Sequence, residues 1–252
     1  DQAAREAVTL IENPETIVLD TSTAHRTNPD WAYGFPELSD QHRNKIINSK
    51  RISVPGCHAS GFIALIYPLI ESGILPESAC LSFHSLTGYS GGGKAMIAEY
   101  EDSDRDKSLD SPRQYALGQN HKHLIEVKTI SKLKHLPHFS PIVSGFYSGM
   151  QLTVPIFKEQ LISGKTIRDV MEVLKEKYLG PIVSYADYLD VNGFIATNRL
   201  QNKDSMQVSV AGNEDRILLL SVYDNLGKGA SGAAIQCLNI ILGKDETYAL
   251  DI

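Results

Sequence analysis

The sequence predicts an α/β segment followed by a longer α+β section. The first observation is a helix-like stretch over 1–15 followed by the apolar strand TIVLDTS (16–22), an order typical of an α/β unit. The second is that the strand-like stretches MQLTVPIF (150–157), MQVSVAG (206–212) and RILLLSVYD (216–224) are separated by few helices. Strands grouped in this way favour α+β over a doubly wound sheet.

Composition and charge narrow the class of protein. The chain has 252 residues, of which 42% are hydrophobic and 21% charged, as in ordinary soluble globular proteins. Its net charge of −6 argues against a general binder of nucleic acid or anionic membranes. No apolar run approaches the ~20 residues of a membrane span. Cys57, Cys80 and Cys237 are odd in number and widely spaced, so no disulfide framework is predicted and a cytoplasmic location is expected.

The first two elements suggest that the chain begins inside a domain. The apolar residues of the first helix share one face, and they are Ala4, Ala7, Val8 and Ile11. Asn13-Pro14 ends this helix. The strand that follows needs parallel neighbours, and no strand precedes it. We therefore expect at least one βαβ unit, ~30 residues, to be missing ahead of Asp1.

Later elements follow from apolar periodicity and turn residues. A helix is predicted from Cys57 to near Gly73, and a strand over 79–88. The charged stretch 99–114 is expected to be a solvated loop. A helix over 166–180 has Thr166 and Asp169 in capping-box positions. The strands 206–212 and 216–224 are predicted to pair around Gly212-Asn213, and a last helix covers 229–243.

Cys57 occupies an unusual position in VPGCHASGFIALIY (54–67). It follows a Pro-Gly pair at the predicted N-terminus of a helix. A cysteine inside an apolar core needs no function. At a helix N-terminus, however, unpaired N–H groups and the positive end of the helix dipole stabilise a thiolate. Cys57 is therefore a candidate nucleophile.

A glycine-rich stretch, GYSGGGKA (88–95), fits the pattern G-x-x-x-x-G-K. It has Ala95 where a P-loop needs Ser or Thr to hold Mg²⁺, which disfavours a P-loop. Two other interpretations stay open. The stretch is either a flexible turn or a backbone cradle for a phosphate or a cofactor ring, because consecutive glycines expose N–H groups at close range.

Two histidines stand at i and i+2 in YALGQNHKHLIE (115–126). No CxxC or HExxH motif supplies further ligands, so no metal site is predicted. Glu126 would orient the ring of His123 if this segment is helical. A cysteine, a histidine and a carboxylate suit nucleophilic catalysis, in which the thiolate attacks and the imidazole moves protons. The alternative is a scatter of surface histidines.

Two loops are candidate anion sites. LDTSTAHR (19–26) places Arg26 after a strand end, where ligands of open α/β sheets bind, and its guanidinium fork suits a carboxylate or phosphate. Arg26 is otherwise an ordinary surface arginine. YDNLGKGASGAAIQCLN (223–239) frees backbone N–H groups beside a helix start, or simply lets a helix of small residues pack closely.

Six stretches occur together in one order, and they are DTSTAHR (20–26), YGFPEL (33–38), VPGCHASG (54–61), HSLTGYSGGGK (84–94), YALGQNHKHLIE (115–126) and DNLGKGASGAAIQCLN (224–239). In them the sequence resembles the N-acetyl-gamma-glutamyl-phosphate reductases, in the shorter bacterial form, which are related to the aspartate-semialdehyde dehydrogenases. The resemblance covers nearly the whole chain. It implies a partial Rossmann-type nucleotide-binding domain, without its first βαβ unit, and a catalytic domain like those of the GAPDH and semialdehyde-dehydrogenase families.

The resemblance also implies an organisation and an activity. Residues 1–55 would be the remnant of the NADP-binding domain, 56–224 the catalytic domain, and 225–252 a C-terminal helix that returns to the nucleotide-binding domain. The implied reaction is the NADPH-dependent conversion of N-acetyl-gamma-glutamyl phosphate, a small acyl phosphate, to the semialdehyde in arginine biosynthesis. A homodimer or homotetramer is expected.

Site residues follow from the same motifs. Cys57 would attack the acyl phosphate and form a thioester, with His123 as acid/base and Glu126 as its orienting carboxylate. The implied substrate-binding residues are Arg26, Ser85, Tyr115 and His121. The implied NADP(H)-binding residues are Ser22, Gly88, Ser90, Gly91 and Asn225.

The sequence departs from this family in two places. The opening strand and Gly-rich dinucleotide turn are missing, and VPGCH stands where many members have NPGCY. His58 would either lower the pKa of Cys57 or replace an aromatic wall. The open alternatives are a related acyl-phosphate reductase, acting on an aminoadipate-type or aspartyl phosphate, and a non-catalytic binding module that lacks its nucleotide domain. A P-loop NTPase is a third alternative.

Overall fold

The computed structural model describes all 252 residues and is an α/β structure of mixed sheets and helices. The helices are α1 (Gln2–Thr9), α2 (Asp40–Asn48), α3 (Cys57–Glu71), α4 (Gly93–Glu101), α5 (His123–Ile130), α6 (Ile167–Lys177) and α7 (Gly232–Ile241). The strands are β1 (Val18–Asp20), β2 (Ala32–Tyr33), β3 (Arg51–Ser53), β4 (Ser82–Gly88), β5 (Arg113–Gln114), β6 (His138–Ser144), β7 (Met150–Phe157), β8 (Val183–Tyr185), β9 (Met206–Gly212) and β10 (Arg216–Tyr223). None of the helices combines the length and apolar character that crossing a membrane requires.

A small sheet forms from the first part of the chain. Its three strands have the order β1-β3-β2 and are all parallel, with Ile52 opposite both Leu19 and Ala32. The last helix, α7, contributes Cys237 and Ile240 to the small core beside this sheet. The C-terminal segment therefore returns to pack on the N-terminal one.

The larger sheet has seven strands in the order β5-β6-β4-β7-β10-β9-β8. Its central strands β7, β10 and β9 are antiparallel, with Leu219 opposite both Val154 and Val210. These side chains are buried in the main core, while Leu218, which precedes Leu219 on β10, is 39% exposed. The alternation gives the sheet one face turned to the core and a second, less covered face.

Helix α3 is the centre of the main core. It is buried without interruption from His58 to Leu69, as expected for a helix that is apolar on all sides. Pro68 lies inside it and has no N–H to offer the carbonyl of Ala64. The hydroxyl of Tyr178 supplies that donor and bonds the Ala64 oxygen at 2.7 Å. The helix continues past Pro68, and its N-terminus reaches a surface cleft.

Several predicted elements are confirmed. The strand 150–157, the antiparallel pair 206–212 and 216–223, and the capping box of Thr166 with Asp169 all occur. The prediction for the first helix is wrong at its end, because α1 stops at Thr9 and buries none of its residues. The stretch 99–114 is not a single loop, since α4 extends to Glu101 and β5 pairs with β6. The last helix begins three residues later than predicted, after a π-helical turn over Gly227–Ser231.

Candidate active site

A cleft of about 450 Å³ lies at the N-terminus of α3. Its lining includes many of the predicted site residues, namely Arg26, Cys57, Gly88, Ser90, Gly91, Tyr115, His121, His123 and Asn225. They come from the loops after β1, β5 and β10, the first residues of α3 and α5, and the end of β4 with the turn that follows it. Residues scattered over about two hundred positions are thus brought to one place, in a volume suited to a small ligand.

Cys57 is the first residue of α3 and follows the N-cap Gly56. It is a free thiol, partly exposed to the cleft. Burial raises the pKa of this thiol, although a hydrogen bond from the His58 backbone N–H and the charge of Arg26 both act to lower it. The helix end does favour the thiolate through the His58 N–H, but the loss of hydration has the larger effect and the net pKa is raised. A base is needed to take the thiol proton.

His123 is placed to be that base. It is the first residue of α5 and is 5% exposed. Burial, with the nearby rings of His58 and His121 and the charge of Arg26, holds the pKa of His123 well below its usual range. A side chain built on Gly56 would collide with both His123 Nε2 and Arg26 Nη1, so these groups lie directly over the Gly56–Cys57 turn. At neutral pH the ring is uncharged and has a lone pair available for a proton.

The structure contradicts the predicted orientation of His123 by Glu126. The Nδ1 atom of His123 is buried and has no hydrogen-bond partner. Glu126 instead accepts hydrogen bonds from Tyr33 Oη at 2.8 Å, the Gly56 backbone N–H at 2.8 Å and Arg26 Nη1 at 3.1 Å. The two side chains are three residues apart on α5, but they lie in different hydrogen-bonding environments. Glu126 therefore fixes the turn that precedes Cys57, and not the imidazole.

Arg26 is buried and largely engaged within the protein. Its Nε donates to the Val54 carbonyl at 2.9 Å and its Nη2 to the Thr21 carbonyl at 2.8 Å, while Nη1 pairs with Glu126. The predicted free bidentate fork is therefore not present. Of the five N–H donors of a guanidinium, two remain for a ligand, and the side chain borders the cleft. Arg26 can still offer positive charge and one donor from each terminal nitrogen.

His58 forms part of the cleft wall. Its ring nitrogens are 2.8 Å from Ser85 Oγ and 2.8 Å from Tyr115 Oη, and its ring packs edge-on against Phe139. Burial and the neighbouring His121 lower the pKa of His58 to about 3. It is neutral at physiological pH, so it cannot lower the pKa of Cys57 by its charge. Of the two interpretations of this position, the structure supports the wall.

The prediction that Ser85 binds substrate is contradicted by the same contacts. Ser85 has no exposed surface, does not line the cleft and directs its hydroxyl at His58. Ser85 therefore supports the His58 ring, which forms part of the cleft wall. Tyr115 and His121 do border the cleft, and His121 Nδ1 accepts the His123 backbone N–H at 3.2 Å.

The low pKa of His58 makes stability depend on pH. The unfolded chain binds a proton near the ordinary histidine value of 6.5, whereas the folded protein binds it only near 3. Stability from this residue is complete above 6.5 and is lost as the pH falls toward 3. Between about pH 7.5 and about pH 5.5, His58 is expected to account for a loss of about 1 kcal/mol of unfolding free energy.

Urea denaturation at both pH values measures this loss, with His58→Phe as the comparison. The variant is expected to be less stable at both values because Ser85 and Tyr115 lose their partner. Its stability difference between the two pH values should be smaller by about 1 kcal/mol. An unchanged difference would show that His58 does not resist protonation in the folded protein.

The glycine-rich stretch lines the same cleft as Cys57. A side chain at Gly88 would collide with the backbone of Tyr147, so glycine is required for this close approach. The side chain of Asn225 is fixed by two bonds, from its Nδ2 to Ser90 Oγ and from the Gly149 N–H to its Oδ1, both at 2.9 Å. This glycine-lined surface with a fixed amide beside it fits a planar ring that carries a carboxamide, such as nicotinamide.

Ser22 lies outside this arrangement, contrary to its predicted role. Its N–H and hydroxyl both donate to the carboxylate of Asp20, at 2.9 Å each, and so form a turn at the end of β1. The neighbouring Thr21 borders the cleft instead. The histidine, cysteine and acidic side chains form no group of three that could hold a metal ion.

Comparison with known proteins identifies the family. Residues 57–225 match the family described as semialdehyde dehydrogenase, dimerisation domain. N-acetyl-gamma-glutamyl-phosphate reductases from Burkholderia cenocepacia and Brucella ovis are each 40% identical, over 96% and 97% of this chain and 79% and 81% of their own. The chain belongs to the N-acetyl-gamma-glutamyl-phosphate reductase family. As a member of this reductase family it is an oxidoreductase, and the resemblance found in the six stretches is confirmed.

Solved structures agree on the fold of this reductase family member. A probable aspartate-semialdehyde dehydrogenase from Pseudomonas aeruginosa superposes with a TM-score of 0.72 over 96% of this chain and 77% of its own, at 15% identity. Aspartate semialdehyde dehydrogenase II from Vibrio cholerae gives 0.68 over 90% and 72%, at 18% identity. At such low identity the likeness shows the fold alone.

Sequence reasoning missed two tyrosines of the site. Tyr33 lies in the quoted stretch YGFPEL and donates to Glu126, and Tyr223 donates to the Cys57 carbonyl at 2.6 Å. Tyr223 begins the quoted stretch YDNLGKGASGAAIQCLN, which was considered only for its glycines. Neither position has a periodicity or spacing that marks it, because each partner lies far away in the sequence.

Proposed function

We propose that this chain catalyses the NADPH-dependent reductive dephosphorylation of N-acetyl-gamma-glutamyl phosphate to N-acetyl-glutamate 5-semialdehyde, in arginine biosynthesis. The observation that carries the proposal is the position of Cys57, at the N-terminus of a buried helix, in a cleft with His123 and Arg26. Relatives 40% identical over nearly the whole chain carry the name of this reductase. A partly exposed thiol beside a neutral imidazole is the arrangement that nucleophilic catalysis requires.

In the first step Cys57 is the nucleophile and His123 the base. The thiol proton moves to His123 Nε2, the Cys57 sulfur bonds to the acyl carbon, and the bond from that carbon to the phosphate oxygen breaks. The products are a thioester on Cys57 and free phosphate. Arg26 lies beside the same turn, and its two unengaged N–H donors would bind the developing charge of the leaving phosphate.

His123 returns its proton in the second half of the reaction. Its low pKa makes the imidazolium a strong acid, so it readily protonates the oxygen of the thiohemiacetal on Cys57. When that adduct collapses, its C–S bond breaks, the hydroxyl proton passes back through His123 to the Cys57 sulfur, and the aldehyde and the free thiol are released. Tyr115 and His121, which border the cleft, would contact the acyl chain.

The residues that would hold a nicotinamide cofactor are Gly88, Ser90, Gly91 and Asn225. The proposal is supported by the glycine-lined wall and by the fixed Asn225 amide, both in the cleft that Cys57 borders. When bound, the reduced cofactor supplies the hydride that converts the thioester to the aldehyde level. The choice of NADPH over NADH is part of the proposal.

We propose the same domain boundaries that the family resemblance implied in the sequence analysis. Residues 1–55 with the parallel sheet β1-β3-β2 would be part of a Rossmann-type domain, 56–224 the catalytic domain, and 225–252 the returning C-terminal segment. Packing of α7 on the first sheet supports this division, as does the buried pair of Lys228 with Glu37 at 2.8 Å. A cytoplasmic location accords with a biosynthetic reaction that uses NADPH.

We propose a homodimer, or a tetramer built from it, formed through the less covered face of the large sheet. The family matched by residues 57–225 is described as a dimerisation domain. On this face, Leu218 of β10 and the loop residue Tyr188 border a groove of about 720 Å³, and they are 39% and 80% exposed. A second copy that covers these apolar side chains would remove them from water.

Reverse-direction assays test the proposed substrate. The intact protein is expected to reduce NADP⁺ with N-acetyl-glutamate semialdehyde and phosphate, with a kcat/KM at least about 100-fold higher than with aspartate semialdehyde. Faster turnover of aspartate semialdehyde, or of an aminoadipate-type semialdehyde, would assign the chain to a different acyl phosphate. Absence of turnover with all three would leave a binding role and refute the proposal.

A further inference from the structure

The hydroxyl of Tyr223 lies against the first turn of α3, beside the nucleophile. It donates a hydrogen bond to the Cys57 carbonyl at 2.6 Å and accepts one from the Gly61 backbone N–H at 3.2 Å. Tyr223 is the last residue of β10 and has no exposed surface. No step of the proposed mechanism uses this hydroxyl, although the hydroxyl bonds to the backbone of Cys57, the proposed nucleophile.

Gly61 provides the space for this contact. A Cβ atom at Gly61 would lie 2.6 Å from Tyr223 Oη and 2.6 Å from Ser221 Oγ, much closer than such atoms approach. Glycine inside a helix is destabilising relative to alanine. The close approach of the Tyr223 hydroxyl accounts for a glycine at this position, at the start of the second turn of α3.

The Cys57 carbonyl and the His58 N–H belong to the same peptide group. The N–H of this group acts to lower the pKa of the Cys57 thiol and so favours its anionic form. Two hydrogen bonds lead to this peptide group, from the Gly61 N–H to Tyr223 Oη and from Tyr223 Oη to the Cys57 carbonyl. A hydrogen bond accepted by a carbonyl polarises its amide and strengthens the N–H as a donor.

We infer that Tyr223 is a positioning residue that stabilises the Cys57 thiolate through the Cys57–His58 peptide group. The inference rests on the proposed role of Cys57 as the nucleophile. Tyr223 differs from the other groups around the sulfur because it acts through the backbone and not across the cleft. The titratable or charged side chains near the sulfur are Arg26, His58, Tyr115, Lys122, His123 and Glu126.

Tyr223→Phe tests the inference, with alkylation of Cys57 by iodoacetamide as the readout. The rate at this residue is followed by peptide mass spectrometry across a range of pH. Loss of the hydroxyl is expected to slow alkylation about 3- to 10-fold at neutral pH, and to move the titration midpoint to higher pH. In the reverse-direction assay kcat should fall by a similar factor while the KM for the semialdehyde stays nearly unchanged.

Tyr178→Phe is the matched control. Tyr178 is also a buried tyrosine whose hydroxyl bonds a carbonyl of α3, but that carbonyl belongs to Ala64, two turns from Cys57. This variant should be at least as destabilised in thermal unfolding, because the Ala64 carbonyl has no other donor. Its Cys57 should be alkylated at the wild-type rate. A general loosening of the helix would slow or accelerate both variants alike.

Gly61→Ala provides a second route to the same effect. The added methyl group would push the Tyr223 hydroxyl from its place while tyrosine is retained, so slower alkylation is expected again. This variant decides the question if Tyr223→Phe does not fold. Wild-type alkylation in the folded variants, or an equal slowing in Tyr178→Phe, would overturn the inference. Alkylation needs no turnover, so a slowed Tyr223→Phe in a protein without reductase activity would uphold this inference and refute the proposed function.

Discussion

Replacing Cys57 with serine is expected to reduce kcat of the reverse reaction by about 10⁴-fold or more. The serine hydroxyl fits the site at the start of α3, but it is a far weaker nucleophile than a thiolate at neutral pH. No other cysteine substitutes for it, because Cys237 is fully buried and Cys80 lies outside the cleft. Initial rates of NADPH formation, with semialdehyde and phosphate at saturation, give the measurement.

Cys80→Ser is the control for this experiment. Cys80 is an exposed free thiol, so its replacement should leave kcat and KM unchanged. Thermal unfolding of Cys57→Ser should match the wild type within a few degrees. Retention of more than about one per cent of wild-type kcat would show that another group carries the chemistry.

Replacing Glu126 with alanine is expected to lower the free energy of unfolding by about 3–5 kcal/mol. Its carboxylate is 2% exposed and accepts from Tyr33, Gly56 and Arg26, so its removal leaves the Arg26 charge buried without a partner. Activity should fall as well, because the Gly56 N–H bond holds the turn before Cys57. Urea denaturation at neutral pH measures the stability change.

Glu77→Ala is the matched control for Glu126→Ala. Glu77 also pairs with a basic residue, Lys134, but at 3.6 Å and with both side chains at least half exposed. Its loss should cost less than about 1 kcal/mol. If both variants lose the same small amount, the buried cluster of Glu126, Arg26 and Tyr33 does not stabilise the fold as described.

Much of the fold was predictable wherever local pattern and tertiary packing agree. The strands 150–157 and 206–212 alternate apolar and polar residues over most of their length, the hairpin turns at Gly212, and the helix after Thr166 has its own cap. The parallel strands β1 and β3 are three residues each, and each is defined by its pairing with the other. Their limits were therefore not predictable from the local sequence. The prediction for the stretch 99–114 was wrong because most of its residues are charged or polar. The few apolar residues among them, such as Tyr100 and Leu109, form a small core.

The sequence predicted which residues lie in the site better than it predicted the hydrogen bonds they form. Cys57, His123 and the glycine-rich wall came from short motifs, and the cleft includes them. The partners of Glu126, Ser85 and Ser22 were not predictable, since each lies on another element whose placement depends on the whole fold. The pKa of Cys57 was misjudged for a related reason, because its burial is a property of the assembled cleft.

Trapping of the covalent intermediate tests the central claim most directly. The protein is incubated with N-acetyl-glutamate semialdehyde and NADP⁺ without phosphate, then quenched in acid and digested for peptide mass spectrometry. The account predicts an N-acetyl-glutamyl adduct on the peptide that contains Cys57, removable by hydroxylamine as a thioester is, and absent from Cys57→Ser. An adduct on a different residue, or phosphate-dependent turnover without any adduct on Cys57, would contradict it.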